Sequence, residues 1–270
     1  MKEVNCTDHL VSGKSFSLLP DDKYQALRTF PTPKNIKPYY DHPDYISHQT
    51  EAAGLFHKIY SFCRRLNNRY KLNLINRYVP EKGNLLDFGS GTGSFVDQAD
   101  RTGWSAKGYD PIVLSSKKTQ SLFVNNWVRH NHYQCITAWH VLEHLPNPVE
   151  FFLQAHTSLS NTGTLALALP NHTSFDASYY QQDWAAYDVP RHLWHFTPKG
   201  IIDMASDSGF ECINQHPLRI DAYYVSLLSE KIRKSHFPWI RAILVGALSN
   251  CKANRTGRYS SIIYVFKKSK

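Results

Sequence analysis

Leu85-Leu86-Asp87-Phe88-Gly89-Ser90-Gly91-Thr92-Gly93-Ser94-Phe95 decides the fold of this 270-residue chain. A short apolar run closes on an acid, and three glycines then alternate with small hydroxyl residues before a helical pattern begins. That order reads as strand, tight turn and helix N-terminus. Glycine permits positive φ at such a turn and lets a ligand approach the backbone closely. The helix that follows offers unpaired N–H groups to whatever lies in the crevice.

The spacing selects the ligand. A dinucleotide turn reads G-x-G-x-x-G, with its third glycine set for helix packing. Here the pattern is Gly89-x-Gly91-x-Gly93, with Asp87 ahead of it and Ser90 inside it. About 20 residues on, where an acid can accept hydrogen bonds from a ribose diol, the next apolar segment closes with Gly108-Tyr109-Asp110. Together these segments resemble those of class I S-adenosylmethionine-dependent methyltransferases. The resemblance implies that the turn supports the methionine and ribose portions of the cofactor and that Asp110 holds the ribose hydroxyls.

The composition is that of a soluble globular chain, 42% hydrophobic and 20% charged, and its length permits one large α/β domain. A net charge of +9 suggests attraction to anionic surfaces or substrates. No dense basic tract points to nucleic acid. Cys6, Cys63, Cys135, Cys212 and Cys251 are scattered and form no C-x-x-C pair, which supports neither a zinc knuckle nor a disulfide framework. The opening residues lack a hydrophobic signal region, and no apolar run approaches the ~20 residues of a membrane span. A cytoplasmic location with reduced thiols is the simplest expectation.

Residues 1–47 are rich in turn formers, prolines and tyrosines, with a weakly signalled hairpin near Ser15–Leu19 and Leu27–Phe30. The layout resembles the zinc-ribbon segment that precedes some sugar C-methyltransferase domains. Only Cys6 remains here, with Asp8 and His9 nearby, so no structural zinc is expected. Residues 48–270 form the expected methyltransferase domain. Within it, residues 49–78 carry apolar positions at three- and four-residue steps, an amphipathic cap with Arg64, Arg65, Arg69 and Lys71 on its wet side. Tyr45 and His48, just ahead, could lie over the cofactor or simply pack as loop. Strands and helices then alternate: Ser105–Tyr109, a brief Leu122–Val124, Cys135–Trp139, Thr164–Leu169, Phe210–Gln215 and a closing antiparallel edge at Ser260–Lys267. The expected architecture is a doubly wound, mostly parallel, seven-stranded Rossmann-like sheet with an N-terminal helical cap and a C-terminal helical insertion. Ligands in such sheets sit beyond the carboxyl ends of the strands, where the glycine turn, Asp110 and His140 fall. The methyltransferase resemblance implies a further acidic or amide residue near the adenine, for which Asn125 and Asn126 are the candidate substitutes here.

The segment His140-Val141-Leu142-Glu143-His144 leaves the fourth core strand. Its spacing resembles the acidic-plus-histidine signature of ubiquinone-biosynthesis O-methyltransferases, where a Glu-x-x-Glu-His arrangement is associated with a divalent cation. His140 at the first position disfavours a hard, oxygen-preferring ion, and no metal is expected. His144 is the first choice for a general base, with Glu143 orienting it, although both could instead brace the loop. Residues 171–198 read as an irregular substrate lid carrying Trp184, Asp188, Arg191, His192, Trp194 and His195. His192 is a second candidate base, Arg191 suits a phosphate or carboxylate, and Trp184 could stack on a ring. Each could equally be a packed loop anchor. The run Trp184–Phe196 resembles a segment of bacterial methyltransferases from cell-surface polysaccharide gene neighbourhoods. The insertion, residues 221–250, joins apolar helical stretches to basic residues. Packing within the chain or in a homodimer is preferred over contact with a membrane surface.

The expected activity is therefore methyl transfer from S-adenosylmethionine to an oxygen or carbon atom of a small molecule or glycan precursor. A non-catalytic cofactor-binding module of the same fold and a nicotinamide-dependent oxidoreductase are the alternatives. The missing dinucleotide spacing argues against the latter.

Overall fold

The computed structural model describes residues 2–40, 55–110 and 123–269, with the side chains of the first helix described from Arg65 onward. Tyr45, His48 and the expected short helix at Pro111–Gln120 lie outside the described residues. Three strands open the chain, β1 (Val4–Thr7), β2 (Ser15–Asp21) and β3 (Ala26–Phe30), followed by helix α1 (Leu55–Tyr78). The alternating core is β4 (Asn84–Phe88), α2 (Ser94–Arg101), β5 (Ser105–Tyr109), β6 (Tyr133–Trp139), α3 (Pro148–Ser158) and β7 (Leu159–Pro170). Then come α4 (Phe175–Tyr180), β8 (Trp194–His195), α5 (Pro198–Asp207), β9 (Phe210–Pro217), α6 (Arg219–Ile232), α7 (Pro238–Thr256) and β10 (Ser261–Lys268).

The main sheet runs β5-β4-β6-β7-β10-β9. β5, β4, β6 and β7 are parallel, and β10 is antiparallel to both of its neighbours. Leu85, Leu86, Ile136, Leu165 and Leu167 are fully buried because helices cover both faces of the central strands. Each such side chain contributes about 1.5–3 kcal/mol relative to exposure. Among the described residues six strands stand where seven were expected. Of the brief third strand, Leu122 lies outside the described residues, and Phe123 makes a parallel bridge to Gly108 on the β5 edge. β10 is not the edge strand predicted for it: β9 holds that edge, and β10 is inserted beside β7. Side-chain caps start several helices as the sequence dictates. Asn147 accepts from the Glu150 amide ahead of α3, and Thr197 accepts from the Gly200 amide ahead of α5.

Two local expectations are corrected. Residues 171–198 are not an irregular lid. They hold α4, two 3₁₀ turns and β8, and β8 pairs with β3 through Leu27↔His195 and Arg28↔Trp194. Residues of the N-terminal segment thus share a second, four-stranded sheet and a hydrophobic cluster with the middle of the chain, Cys6, Phe16 and Leu18 packing with Tyr180, Trp184 and Tyr187. On α1, Leu66 and Tyr70 are exposed, whereas Lys71, predicted to be wet, is buried with Leu72, Ile75 and Val79. Its ammonium lies 4.6 Å from the Trp139 ring centroid. Finally, α6 and α7 pack together through Ala222, Ala242 and Gly246, where an added Cβ would meet Tyr223 Cδ1 at 2.7 Å. The outer face of α7 is not covered: Trp239, Ile240, Ile243, Leu244 and Leu248 remain exposed. Among the described residues, no helix is long and apolar enough to cross a membrane.

Candidate active site

β4 and β6 are adjacent and in register from Leu85↔Cys135 to Phe88↔Ala138, so their carboxyl ends deliver the glycine turn and His140 to one place. Gly89, Gly91 and Gly93 all adopt left-handed φ, of 72°, 50° and 74°. At Gly89 an added Cβ would fall 2.4 Å from Val141 Cγ2, so the turn lies directly against the His140–His144 segment. At Gly91 the same position meets nothing within 4 Å among the described residues, leaving space over the turn. The Gly91 N–H donates to Asp110 Oδ2 at 2.8 Å, which places the carboxylate at the end of β5 against the turn. Ser90 faces elsewhere: its hydroxyl occupies the space that a Cβ on Gly108 would need, 2.4 Å away. Asn125 and Asn126 are exposed.

Beneath the turn lies a buried polar group. Burial raises the Asp87 carboxyl to about 7, against the lowering effects of Thr137 and Lys71. The Thr137 hydroxyl donates to Asp87 Oδ1 at 2.7 Å. Burial in turn lowers the Lys71 ammonium, while Asp221 and Asp87 favour its charge. His140, at φ 58°, sets its Nε2 3.2 Å from Asp221 Oδ2 and its Nδ1 3.5 Å from Glu143 Oε1. Burial disfavours charge on His140, yet the two carboxylates outweigh it and raise the imidazole to about 9. Lys71 and Asp221 escaped the sequence reading. Lys71 sits in a run of helix-surface residues, and an acid in the first turn of α6 reads as an ordinary complement to the helix dipole.

Beyond His140, a 3₁₀ turn at Leu142–His144 places Glu143 and His144 beside His192. One ligand atom from each lies within 4.8 Å of the others. Glu143 is 1% exposed, and neither of its oxygens accepts a hydrogen bond. His144 Nδ1 is 3.0 Å from the Arg191 carbonyl and 2.9 Å from the Tyr40 hydroxyl; His192 Nδ1 is 2.9 Å from the Ala186 carbonyl. A carbonyl only accepts, so in both rings Nδ1 carries the proton and Nε2 keeps its lone pair. Burial and the neighbouring His192 lower His144 to about 4. Glu143, Pro170, His172, Trp184, Ala186 and His192 border a narrow gap here, together with His195, that is closed to a water-sized molecule in this structure.

The remaining predicted substrate contacts are structural in this arrangement. Trp184 is buried and its Nε1 donates to Asp176 Oδ2 at 2.8 Å. Arg191 is 2% exposed and bonds Asp188 Oδ1 at 2.6 Å and Asp8 Oδ1 at 3.3 Å, so its guanidinium is held by carboxylates of the chain itself. His195 Nε2 donates to Thr29 Oγ1 at 3.0 Å, since the Thr29 hydroxyl proton is directed to the His192 carbonyl at 2.6 Å. Only one edge of His195 faces the crevice group.

Residues 57–215, more than half of the chain, match a family model described as a methyltransferase domain. The chain belongs to that family. Solved structures agree on the fold of this methyltransferase. Phosphoethanolamine N-methyltransferase 2 from Haemonchus contortus superposes with a TM-score of 0.54 at 13% identity, covering 90% of this chain and 62% of that one. Mycolic acid cyclopropane synthase CmaA1 gives 0.51 at 16% identity, over 74% and 83% of the two chains. A Galdieria sulphuraria protein assigned as a sarcosine dimethylglycine methyltransferase gives 0.50 at 15%, over 75% and 85%. No curated protein matches by sequence. The methyltransferase uses S-adenosylmethionine, and its residues fit that cofactor: among the described residues nothing fills the space above Gly91, so a ligand can approach the backbone there, and the Asp110 carboxylate stands beside it. Family membership removes the nicotinamide-dependent alternative.

Proposed function

We propose that this methyltransferase acts on a hydroxyl oxygen of a small polar acceptor, a sugar or glycan precursor among the candidates, presented to the side chains of Glu143, His144 and His192. One observation carries the reading. A buried carboxylate without a hydrogen bond and two imidazoles with fixed Nδ1–H tautomers converge next to the glycine turn, where an acceptor would meet the cofactor. The cofactor's sulfonium supplies an activated methyl group when bound. The chain's own residues then have two tasks, alignment of the acceptor and removal of its proton.

Asp110 and the backbone of Gly89–Gly93 hold the ribose and methionine portions in this reading. His140, paired with Asp221, is cationic and therefore not the base; it fixes the Glu143 carboxylate from one side. The chain's part is to take up the acceptor's hydroxyl proton at the lone pair offered by His144 Nε2 or His192 Nε2. Glu143 compensates the resulting positive charge. Asp188 and Arg191 position this wall and do not touch the acceptor, because the Arg191 carbonyl is what fixes His144.

The test is product formation with a labelled methyl donor across hydroxyl-bearing sugars, nucleotide-sugars and quinols, on three proteins. Wild type should transfer the label. His144→Ala should bind S-adenosylmethionine normally in calorimetry and lose turnover. Gly91→Val should lose binding, because its side chain enters the open space over the turn. Full activity in His144→Ala would remove this histidine from the chemistry. Cofactor binding with no product on any acceptor would favour the non-catalytic module.

A further inference from the structure

Helix α7 carries two rows of apolar or small residues on opposite sides. Ala242, Val245, Gly246, Ser249 and Ala253 recur at three- and four-residue steps, are buried, and seat the helix on α6 and α4. Ile240, Ile243, Leu244 and Leu248 repeat the same spacing on the other arc of the helix. Each of these four side chains is more than half exposed, as are Phe237 and Trp239 at the helix start. One row is enough to dock a helix on its own domain. The second is a contiguous apolar face turned outward, and faces of this kind mark interaction sites.

The charge around that face is one-sided. The whole chain holds 31 lysines and arginines and 22 acids; residues 231–270 contain ten of the former and none of the latter. The remainder of the chain therefore stands at −1, and this segment accounts for the entire net charge of +9. Lys231, Lys234, Arg241, Lys252, Arg255 and Arg258 are exposed. The acids of the helices packed against α7 do not offset them, since Asp176 and Glu230 are buried and Asp221 faces His140.

We propose that the outer face of α7 docks on an anionic lipid surface, the helix lying along the headgroups with Ile240, Ile243, Leu244 and Leu248 turned into the acyl boundary. A helix with one strongly apolar face and basic flanks lies in such an interface, and an aromatic ring at its end suits the headgroup level. The charge argues against a second copy of this chain on the same face. A two-fold dimer would set the face against itself, cation against cation, with no exposed carboxylate from α4, α6 or α7 to pair them. The composition argues against an acidic protein. Protein interfaces carry hydrogen bonds at regular intervals, whereas Ile240, Ile243, Leu244, Ala247 and Leu248 offer no polar side-chain atom over more than two turns. Lipid chains require none. The inference rests on the fold and the charge, and is independent of the acceptor assigned above.

The test is co-sedimentation of the full chain with two kinds of vesicle, phosphatidylcholine alone and a mixture of phosphatidylcholine with phosphatidylglycerol. Wild type should sediment with the mixed vesicles and not with the neutral ones, and added salt should weaken the binding. Lys234→Gln and Arg255→Gln should each weaken it by roughly five-fold. The double variant Ile243→Glu/Leu244→Glu should lose it with an unchanged urea midpoint, because both positions are exposed. Absence of binding to the mixed vesicles, or equal binding by wild type and the double variant, would overturn the proposal. So would a wild-type dimer in lipid-free solution that the double variant dissociates, or an acidic soluble protein that competes with vesicles nowhere yet is released by that variant. Should the double variant fail to fold, tryptophan quenching by brominated phosphatidylcholine in the mixed vesicles decides. Trp104, Trp127, Trp184 and Trp194 are buried, whereas Trp239 is about half exposed on this face. Quenching is expected in wild type and should be lost in Trp239→Phe; its absence in wild type would also overturn the proposal.

Discussion

Arg191 is the clearest place to separate a structural role from a substrate-binding one. Its guanidinium, 2% exposed, is held by Asp188 Oδ1 at 2.6 Å and by Asp8 Oδ1 at 3.3 Å. Asp8 is 1% exposed and directly follows β1 of the N-terminal sheet, so Arg191→Met removes the cation paired with this buried acid across these two parts of the described structure. Breaking a buried ion pair from one side costs about 3–5 kcal/mol. The lower end applies here for two reasons. Asp8 retains the Ser12 amide and hydroxyl, both at 2.7 Å, and the amides of Leu10 and Val11. Asp188 is about a quarter exposed, so water can replace the lost partner. A destabilisation of about 3 kcal/mol in urea, followed by tryptophan fluorescence, is the expected outcome. Asp8→Asn on that background should cost little more, because the uncompensated charge is then gone. Burial alone would raise Asp8, but Ser12, Arg191 and the Val11 amide hold its carboxyl below the usual 3.8. Its contribution to stability is therefore present above that value and lost as pH falls through the lowered one. An unchanged urea midpoint together with a raised acceptor KM would refute this account and restore Arg191 as an anion-binding residue.

Two further perturbations test the interior. Asp87 has the opposite sign: its carboxyl is raised from 3.8 to about 7, so its contribution is complete below about 4 and gone above about 7. At about 1.4 kcal/mol per pH decade this is of order 4 kcal/mol, and urea midpoints at pH 5 and pH 8 should converge in Asp87→Asn relative to wild type. Glu230, fully buried where α6 meets α7, accepts from the Tyr180 hydroxyl at 3.0 Å and Arg241 Nε at 2.9 Å. Glu230→Ala should cost roughly 3 kcal/mol and speed proteolytic nicking between Arg233 and Phe237; unaltered cleavage would show that the helical pair is held by apolar packing alone.

The parts legible in the sequence were those governed by local rules. A strand, three glycines and a helix start are fixed by φ requirements and period, and β5 spans Ser105–Tyr109 in the structure as the apolar run predicts. What stayed hidden depended on partners distant in the chain. The period of α1 placed Lys71 on the wet face, because nothing local shows that Trp139, Asp87 and Asp221 gather around its ammonium. Residues 171–198 lack a clean period because β8 is two residues long and exists only through its pairing with β3. Its aromatics are therefore packing groups of a second sheet. The predicted placement of β10 at an edge failed for a related reason: antiparallel direction can be guessed from the chain's return, but insertion between two strands is set by the whole sheet.

The N-terminal sheet consequently shapes the candidate site rather than decorating it. Thr29 on β3 bonds the His192 carbonyl, and Asp8 beyond β1 anchors the Arg191 guanidinium. The Arg191 carbonyl in turn fixes the His144 tautomer, and the Tyr40 hydroxyl touches the same nitrogen. Every hydrogen bond that orients His144 thus runs to Tyr40 or to a backbone position held by residues of that sheet. The glycine turn and Asp110 stand at the adjacent carboxyl ends of β4 and β5, joined by the Gly91 N–H. In the proposed reading, the donor side thus leans on β4 and β5 and the acceptor side on the N-terminal sheet. Loosening of the first 40 residues should leave the donor bound while the histidines opposite it lose their alignment.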